Sequence, residues 1–296
     1  MKQCENPVYP QQLQPCMTFG QALSQGAQFL LAQGIEDAQT DAWLLLEFVT
    51  GMSRAHFLAE RSACMDPKAA KQYGELLAKR ASHIPLQHLT GEQEFMGLSF
   101  RVTPDVLVPR QDTETLVEEA LARLGSDDRV LDLCTGSGCI AVSLAKYGAG
   151  KVRRVDGSDV SEKALSVARE NGMRNEAGVR WILSDLFENI VETYDMIVSN
   201  PPYICTDVIG GLSEEVRLHE PLLALDGKED GLFFYRRIIA GSSAHLRCGG
   251  WLLFEIGYDQ GRAVSVMMQE NGYEEVRIVR DLAGKDRVVL GRLNGR

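Results

Sequence analysis

Apolar positions along the first third of the chain recur at helical spacing. Thr18 reads as an N-cap before a helix running through Phe29 and Leu30, with Gly34 as its stop. From Asp37 to Val49 the residues Ala38, Ala42, Leu45, Leu46 and Val49 form one stripe. Asp66-Pro67 opens a third helix carrying Tyr73, Leu76 and Leu77, with a basic end at Lys79 and Arg80. Residues 18–85 therefore predict a small helical domain, preceded by a flexible N-terminus over 1–17, where Gln and Pro show no period. Pro85 breaks the pattern. Residues 86–108 place Phe95, Leu98, Phe100, Val102 and Val106 to Val108 between turns at Gly97 and Pro104-Asp105, which predicts a β-hairpin linker.

From Pro109 to the end, 109–296, the period alternates. Strands are expected at 129–133, 151–159, 179–185, 194–200 and 250–256, and helices at 117–124, 139–146, 161–171, 232–246 and 260–271. That alternation means a doubly wound α/β sheet of parallel strands. The last two strand-like runs, Tyr273 to Arg280 and Arg287 to Leu290, are separated only by 281–286. A connection that short forbids a parallel crossover, so the sheet should end in an antiparallel hairpin.

Composition narrows the class. In 296 residues the apolar fraction is 45%, and no apolar run is long enough to cross a membrane. The start, Met1 to Gly20, lacks the basic and apolar stretches of a signal peptide, which reads as a cytoplasmic protein with no membrane partner. The seven cysteines are scattered, without metal-ligand spacing, so neither a metal site nor a disulfide framework is expected. A formal charge of −10 argues against stable, direct nucleic-acid binding, which needs clustered Lys and Arg.

Two runs carry chemistry. The first, Asp132-Leu133-Cys134-Thr135-Gly136-Ser137-Gly138, joins a strand to a helix. Its glycines allow positive φ and close approach of a ligand to the backbone, and the helix start adds unpaired N–H groups. Asp159 ends the next strand, where an acid can accept from both hydroxyls of a ribose. With Ala141 the run fits the dinucleotide fingerprint, so it signals a nucleoside cofactor more clearly than it says which one. Asp132 at the strand end favours S-adenosylmethionine, because a carboxylate there would repel a pyrophosphate and welcome an amino acid's ammonium.

The second run is Asn200-Pro201-Pro202-Tyr203, at the carboxyl end of the strand 194–200. Two prolines remove two donors, leaving the Asn200 side-chain oxygen and main-chain carbonyls as acceptors. A planar NH2 group fits such a corner, and Tyr203 can stack on it. Accepting from both N–H groups orients the delocalised amide lone pair and opposes the positive charge that grows during attack.

Together Asp132 to Gly138, Asp159 and Asn200 to Tyr203 resemble the class I S-adenosylmethionine-dependent methyltransferases that act on planar nitrogens. Within these the chain resembles the bacterial peptide-chain release factor glutamine N5-methyltransferase family (HemK/PrmC). The resemblance extends to Ile84 to Gly91 with Glu94-Phe95, to Val108 to Glu114, to Glu220-Pro221, Leu225 to Gly227, Glu229 to Gly231 and Phe234-Tyr235, and to Glu255 to Gly257 and Asp281 to Gly284. It implies a Rossmann-like seven-stranded sheet ending in an antiparallel hairpin, and methylation of the glutamine in the Gly-Gly-Gln motif of release factors during translation termination. It also implies S-adenosylmethionine as cofactor, S-adenosylhomocysteine as product, no metal, release factors as partners of a monomeric enzyme, and partner recognition by the helical domain.

Carried over by position, Cys134, Thr135, Gly136, Ser137, Gly138 and Asp159 would contact the cofactor, with Asp185 and Leu186 flanking the adenine. Asn200 would touch cofactor and substrate, and Pro201, Pro202 and Tyr203 the substrate glutamine. Asn200, Pro201 and Tyr203 would form the catalytic set. The chain departs from the family at Cys134, where glycine is usual, at Gln111, where proline is usual, and at Leu186, where an aromatic is frequent. Two neighbouring activities share the corner: adenine-N6 methylation of DNA or RNA, and methylation of a ribosomal-protein glutamine. The first needs a basic nucleic-acid track that a balance of 31 basic against 41 acidic residues does not suggest.

Overall fold

A computed structural model describes residues 16–295. The expected frayed start, 1–17, lies outside these apart from Cys16 and Met17. The described residues divide into two compact units, one of residues 16–91 with Glu214–His219, the other of Glu92–Ser213 with residues 220–295.

The first unit is helical, with α1 (Phe19–Ala32), α2 (Ala38–Thr50), α3 (Arg54–Glu60), α4 (Pro67–Ala81) and α5 (Leu86–Thr90). Thr18 and Gln21 form a reciprocal capping box on α1, and the Asp66 carboxylate caps α4 ahead of Pro67. The apolar stripes meet in one core of Leu30, Leu45, Leu46, Tyr73 and Leu77. Helix α3 was not expected; its seven residues bury only Phe57, too few to print a period. Leu86–Thr90 is helical where the hairpin linker was expected to begin, because Pro85 caps a turn that Gly91 closes at φ 79°. Cys16 and Cys64 are joined in a disulfide, against the reading of scattered thiols. Thr18 bridges Cys64 in antiparallel fashion, which brings two cysteines distant in sequence side by side. Asp41 and Arg80, both buried, pair at 2.6 Å.

The second unit opens with the hairpin β1 (Glu92–Phe95) and β2 (Leu98–Arg101). A 3-10 turn at Gln111–Thr113 leads into α6 (Glu114–Arg123), β3 (Asp128–Leu133), α7 (Cys139–Tyr147), β4 (Val152–Asp159), α8 (Glu162–Arg174), β5 (Val179–Leu183) and β6 (Tyr194–Ser199). After the short helices α9 (Thr206–Ile209), α10 (Glu214–His219) and α11 (Leu222–Leu225) come α12 (Phe233–Ser242), β7 (Leu246–Glu255), α13 (Gly261–Glu270), β8 (Tyr273–Arg280) and β9 (Asp286–Leu293).

The seven strands run β5-β4-β3-β6-β7-β9-β8. All pairings from β5 to β7 are parallel, and β9 pairs antiparallel with both β7 and β8. Both faces are covered: Val130 of β3 joins one apolar core, Leu131 and Leu133 the other. The terminal hairpin is as expected, but β9 also threads between β7 and β8. Its alternating Val288, Val289 and Leu290 feed both cores, which suits an inner strand. Helix α12 stops at Ser242, short of the expected 246, since Leu246 already pairs with Tyr194 before a register shift leading to Trp251.

Candidate functional site

The carboxyl ends of β3, β4 and β6 point to one cavity of about 220 Å³. At the end of β3 the chain turns through Cys134 (φ 60°), Gly136 (φ 54°) and Gly138 (φ 81°) before entering α7. A Cβ at Gly136 would meet nothing within 4 Å, so that glycine leaves open backbone on the cavity side. A Cβ at Gly138 would strike Trp181 at 2.8 Å, so that glycine serves the packing of α7 against the sheet. Asn171 of α8, wholly buried, donates to the Ser137 carbonyl at 2.9 Å and accepts from Arg101 N at 2.7 Å, tying the turn to the hairpin.

Asp132 corrects one expectation. Its carboxylate does not line the cavity but lies beneath the turn, fully buried, accepting from Thr135 Oγ1 at 2.5 Å and Ala141 N at 3.1 Å. Burial pushes its pKa up to about 7. The hydroxyl and the first turn of α7 draw its Oδ2 inward, so that oxygen holds the loop's shape, while Oδ1 has no hydrogen-bond partner.

Asp159 lines the cavity at the end of β4. Gly136 N donates to its Oδ2 and Ser161 N to its Oδ1, each at 2.9 Å. Burial raises its pKa while these main-chain donors oppose the shift. The carboxylate offers more acceptor sites than these donors fill, so it can still accept a hydroxyl. Asp185 and Leu186 follow β5; Arg237 holds Asp185 at 3.0 Å, and Leu186 is buried at φ 49°. The Cys134 thiol is pushed far above its ordinary range by burial and then by Asp159, which removes it as a nucleophile.

Of the residues singled out from the sequence, the cavity gathers Cys134, Thr135, Gly136, Ser137, Asp159, Asp185, Leu186, Asn200 and Pro202, while Gly138, Pro201 and Tyr203 are not among its lining residues. Leu107, Pro109, Arg110, Thr113, Leu223 and Phe234 also line it. Arg110 is paired with the buried Glu220, joining the segment before α6 to the one leading into α11. Tyr203 is held by its backbone, whose carbonyl accepts from Gln260 Nε2 at 3.0 Å. Its hydroxyl donates to Glu255 Oε1 at 3.5 Å, and burial, then Glu255, raises its pKa. Asn200 Nδ2 donates to Thr113 Oγ1 at 3.4 Å.

Thr113, Asn171 and Glu255 went unread in the sequence as parts of a site. Thr113 and Glu255 sat inside quoted family runs without a role, and Asn171 was only a helix end. Each acts through a partner distant along the chain, which no local spacing reports.

Among the described residues no group of three or more His, Cys, Asp or Glu could hold a metal, and no helix is long and apolar enough to cross a membrane.

Two family models match the chain, the PrmC N-terminal domain over residues 21–91 and the methyltransferase small domain over 111–209. A release factor glutamine methyltransferase of Geobacter sulfurreducens is 41% identical, with 90% of this chain and 93% of that protein covered. One of Moorella thermoacetica is 42% identical over 93% and 98%. Among solved structures, a methyltransferase from Pyrococcus furiosus shares the fold at a TM-score of 0.52 and 20% identity, covering 68% of this chain and 91% of that one.

Proposed function

This chain belongs to the release factor glutamine methyltransferase family, and from that premise we propose how its residues divide the reaction. The protein is an S-adenosylmethionine-dependent methyltransferase that methylates the side-chain amide of a glutamine in peptide chain release factors. The observation that carries this reading is the meeting of two distant motifs, the glycine turn and Asn200, on the wall of one cavity.

The cofactor would be held by the open backbone at Gly136, by Asp159 through its remaining lone pairs, and by Asp185 and Leu186 beside the adenine. Bound there, it supplies a methyl group on a positively charged sulfonium, already a good leaving group. The chain's own task is then positioning and electrostatics, and no strong general base is needed. Asn200 accepts one N–H of the substrate amide through its side-chain oxygen, and the Pro201 carbonyl accepts the other. Pro202 fixes the chain direction, and Tyr203 presents its ring to the planar group.

The helical domain, 18–85, recognises the release factor. As the new N–C bond forms and the S–C bond breaks, the amide nitrogen gives up one proton to water, so the products are a methylated glutamine, S-adenosylhomocysteine and a proton. The test is incubation of the purified protein with labelled S-adenosylmethionine and intact release factors, followed by mass spectrometry of the modified peptide. A label on the glutamine of the Gly-Gly-Gln motif is expected; a label elsewhere, or on nucleic acid only, would overturn the substrate assignment. A short peptide carrying the same glutamine should be a poorer substrate than the intact factor, and equal efficiency would remove the recognition role of the helical domain.

A further inference from the structure

The last registered pair of the parallel strands β6 and β7 is Ser199 with Phe254. Asn200, just past the end of β6, and Glu255, the last residue of β7, follow one residue later, so their side chains leave the sheet on the same side. Glu255 is 2% exposed. Three polar side chains are gathered toward its carboxylate: the Thr113 hydroxyl, the Asn200 amide and, at 3.5 Å, the Tyr203 hydroxyl. Its second oxygen, Oε2, is buried without a hydrogen-bond partner. The charged and titratable groups around it are Arg287 of β9, which attracts, Asp112 of the 3-10 turn, which repels, and the Tyr203, Tyr235 and Cys139 groups.

An ionised carboxylate only accepts hydrogen bonds. Facing Asn200, it selects one of the two orientations of the side-chain amide: NH2 inward toward Glu255 and Thr113, oxygen outward toward the cavity. A neutral carboxyl can donate, and the opposite orientation, with the Asn200 oxygen turned inward, becomes competitive. That flipped amide would offer donors to a substrate NH2 group and could not accept from it.

We propose that Glu255 is a positioning residue for methyl transfer, fixing Asn200 with its side-chain oxygen toward the amide to be methylated. This rests on the reading of Asn200 as the acceptor. Burial pushes the Glu255 pKa up to about 7, opposed by Thr113, Arg287 and Asn200. The carboxylate is the working form, so activity should be full above that pH and fall as pH drops through it.

The experiment is single-turnover methylation of an intact release factor at saturating cofactor, from pH 6 to 8.5. Wild type should lose rate roughly tenfold per pH unit on the acid side of about 7, as one essential deprotonation requires. Glu255→Gln keeps the volume but cannot ionise; it should be slower by roughly 10- to 100-fold at pH 8 and flat over the same range, with cofactor affinity by calorimetry within about threefold of wild type, the smaller effect expected of a change outside the cofactor's own contacts. Glu255→Asp should keep an acid limb. In an Asn200→Ala background Glu255→Gln should add no further loss, because the residue acts through Asn200.

A flat wild-type profile, an unchanged rate in Glu255→Gln, or an additive loss in the double variant overturns the proposal. A flat wild-type profile overturns the proposal even if the variants do not fold; because burial also pushes Asp132 up to about 7, an acid limb supports Glu255 only where Glu255→Gln flattens it. If Asn200→Ala alone retains the wild-type rate, the acceptor reading itself has failed. If Asn200→Ala is inactive and Glu255→Gln is normal, only the role of Glu255 has.

Discussion

The two strand ends that meet at the cavity are built in opposite ways. After β3 the turn works through its main chain: positive φ at Cys134, Gly136 and Gly138, and a Gly136 N–H that fixes Asp159. The acid beneath it, Asp132, spends its hydrogen bonds on the loop. After β6, on the neighbouring strand, the corner works through side chains: Asn200 bonded to Thr113, Tyr203 to Glu255, with a buried carboxylate behind both. Backbone geometry suits a cofactor that must be held the same way in every cycle. A side-chain acceptor that must face one way needs a polar network to choose its orientation, and that network has to be buried to be rigid.

The comparison predicts that damage at β6 falls on the transfer step and damage at β3 and β4 on cofactor binding. The largest effect should come from Asn200→Ala, with single-turnover methylation slowed by about 100- to 1000-fold, the usual consequence of losing one electrostatic contact in the transition state. A near wild-type rate would reduce the Asn-Pro-Pro-Tyr run to a turn. Next, Asp159→Ala should weaken S-adenosylmethionine binding by about 1.5–3 kcal/mol, the worth of hydrogen bonds to a charged acceptor. Calorimetry measures it, and the rate at saturating cofactor should change far less than the affinity. Should the rate collapse instead, the separation between the two strand ends would not hold.

Cys134→Gly should stabilise the fold by a net of about 0.5–1 kcal/mol in urea denaturation. Relief of the left-handed conformation at φ 60° exceeds the extra entropy glycine gives the unfolded chain. A loss of stability would mean that the thiol's packing outweighs the strain. The smallest change is expected from Tyr203→Phe, within about threefold in rate, since a stacking ring needs no hydroxyl. A large loss would assign the phenol's bond to Glu255 a share of the positioning, and so sharpen the picture of the corner as a network.

Much of this was legible in the chain itself. The helical stripes of α1, α2 and α4, the strand–helix alternation and the terminal hairpin follow from hydrophobic period and connection length, which are local quantities. The glycine turn, Asp159 and the Asn-Pro-Pro-Tyr corner were legible for the same reason, because backbone freedom and missing donors are properties of residue type at a position. Illegible were α3, too short for a period, and the insertion of β9 between β7 and β8, which depends on which edge is left unpaired. Equally hidden was the inward turn of Asp132, decided by Thr135 Oγ1 and the Ala141 N–H.

The sequence by itself determined the long elements, the glycine turn and the donor-poor Asn-Pro-Pro-Tyr corner, since each is set by neighbours a few residues away. Only the tertiary structure decided that Thr113, Asn200 and Tyr203 gather around the buried carboxylate of Glu255. Their contacts are made by adjacent strand ends far apart along the chain, and the energy of a buried carboxylate depends on what surrounds it in space.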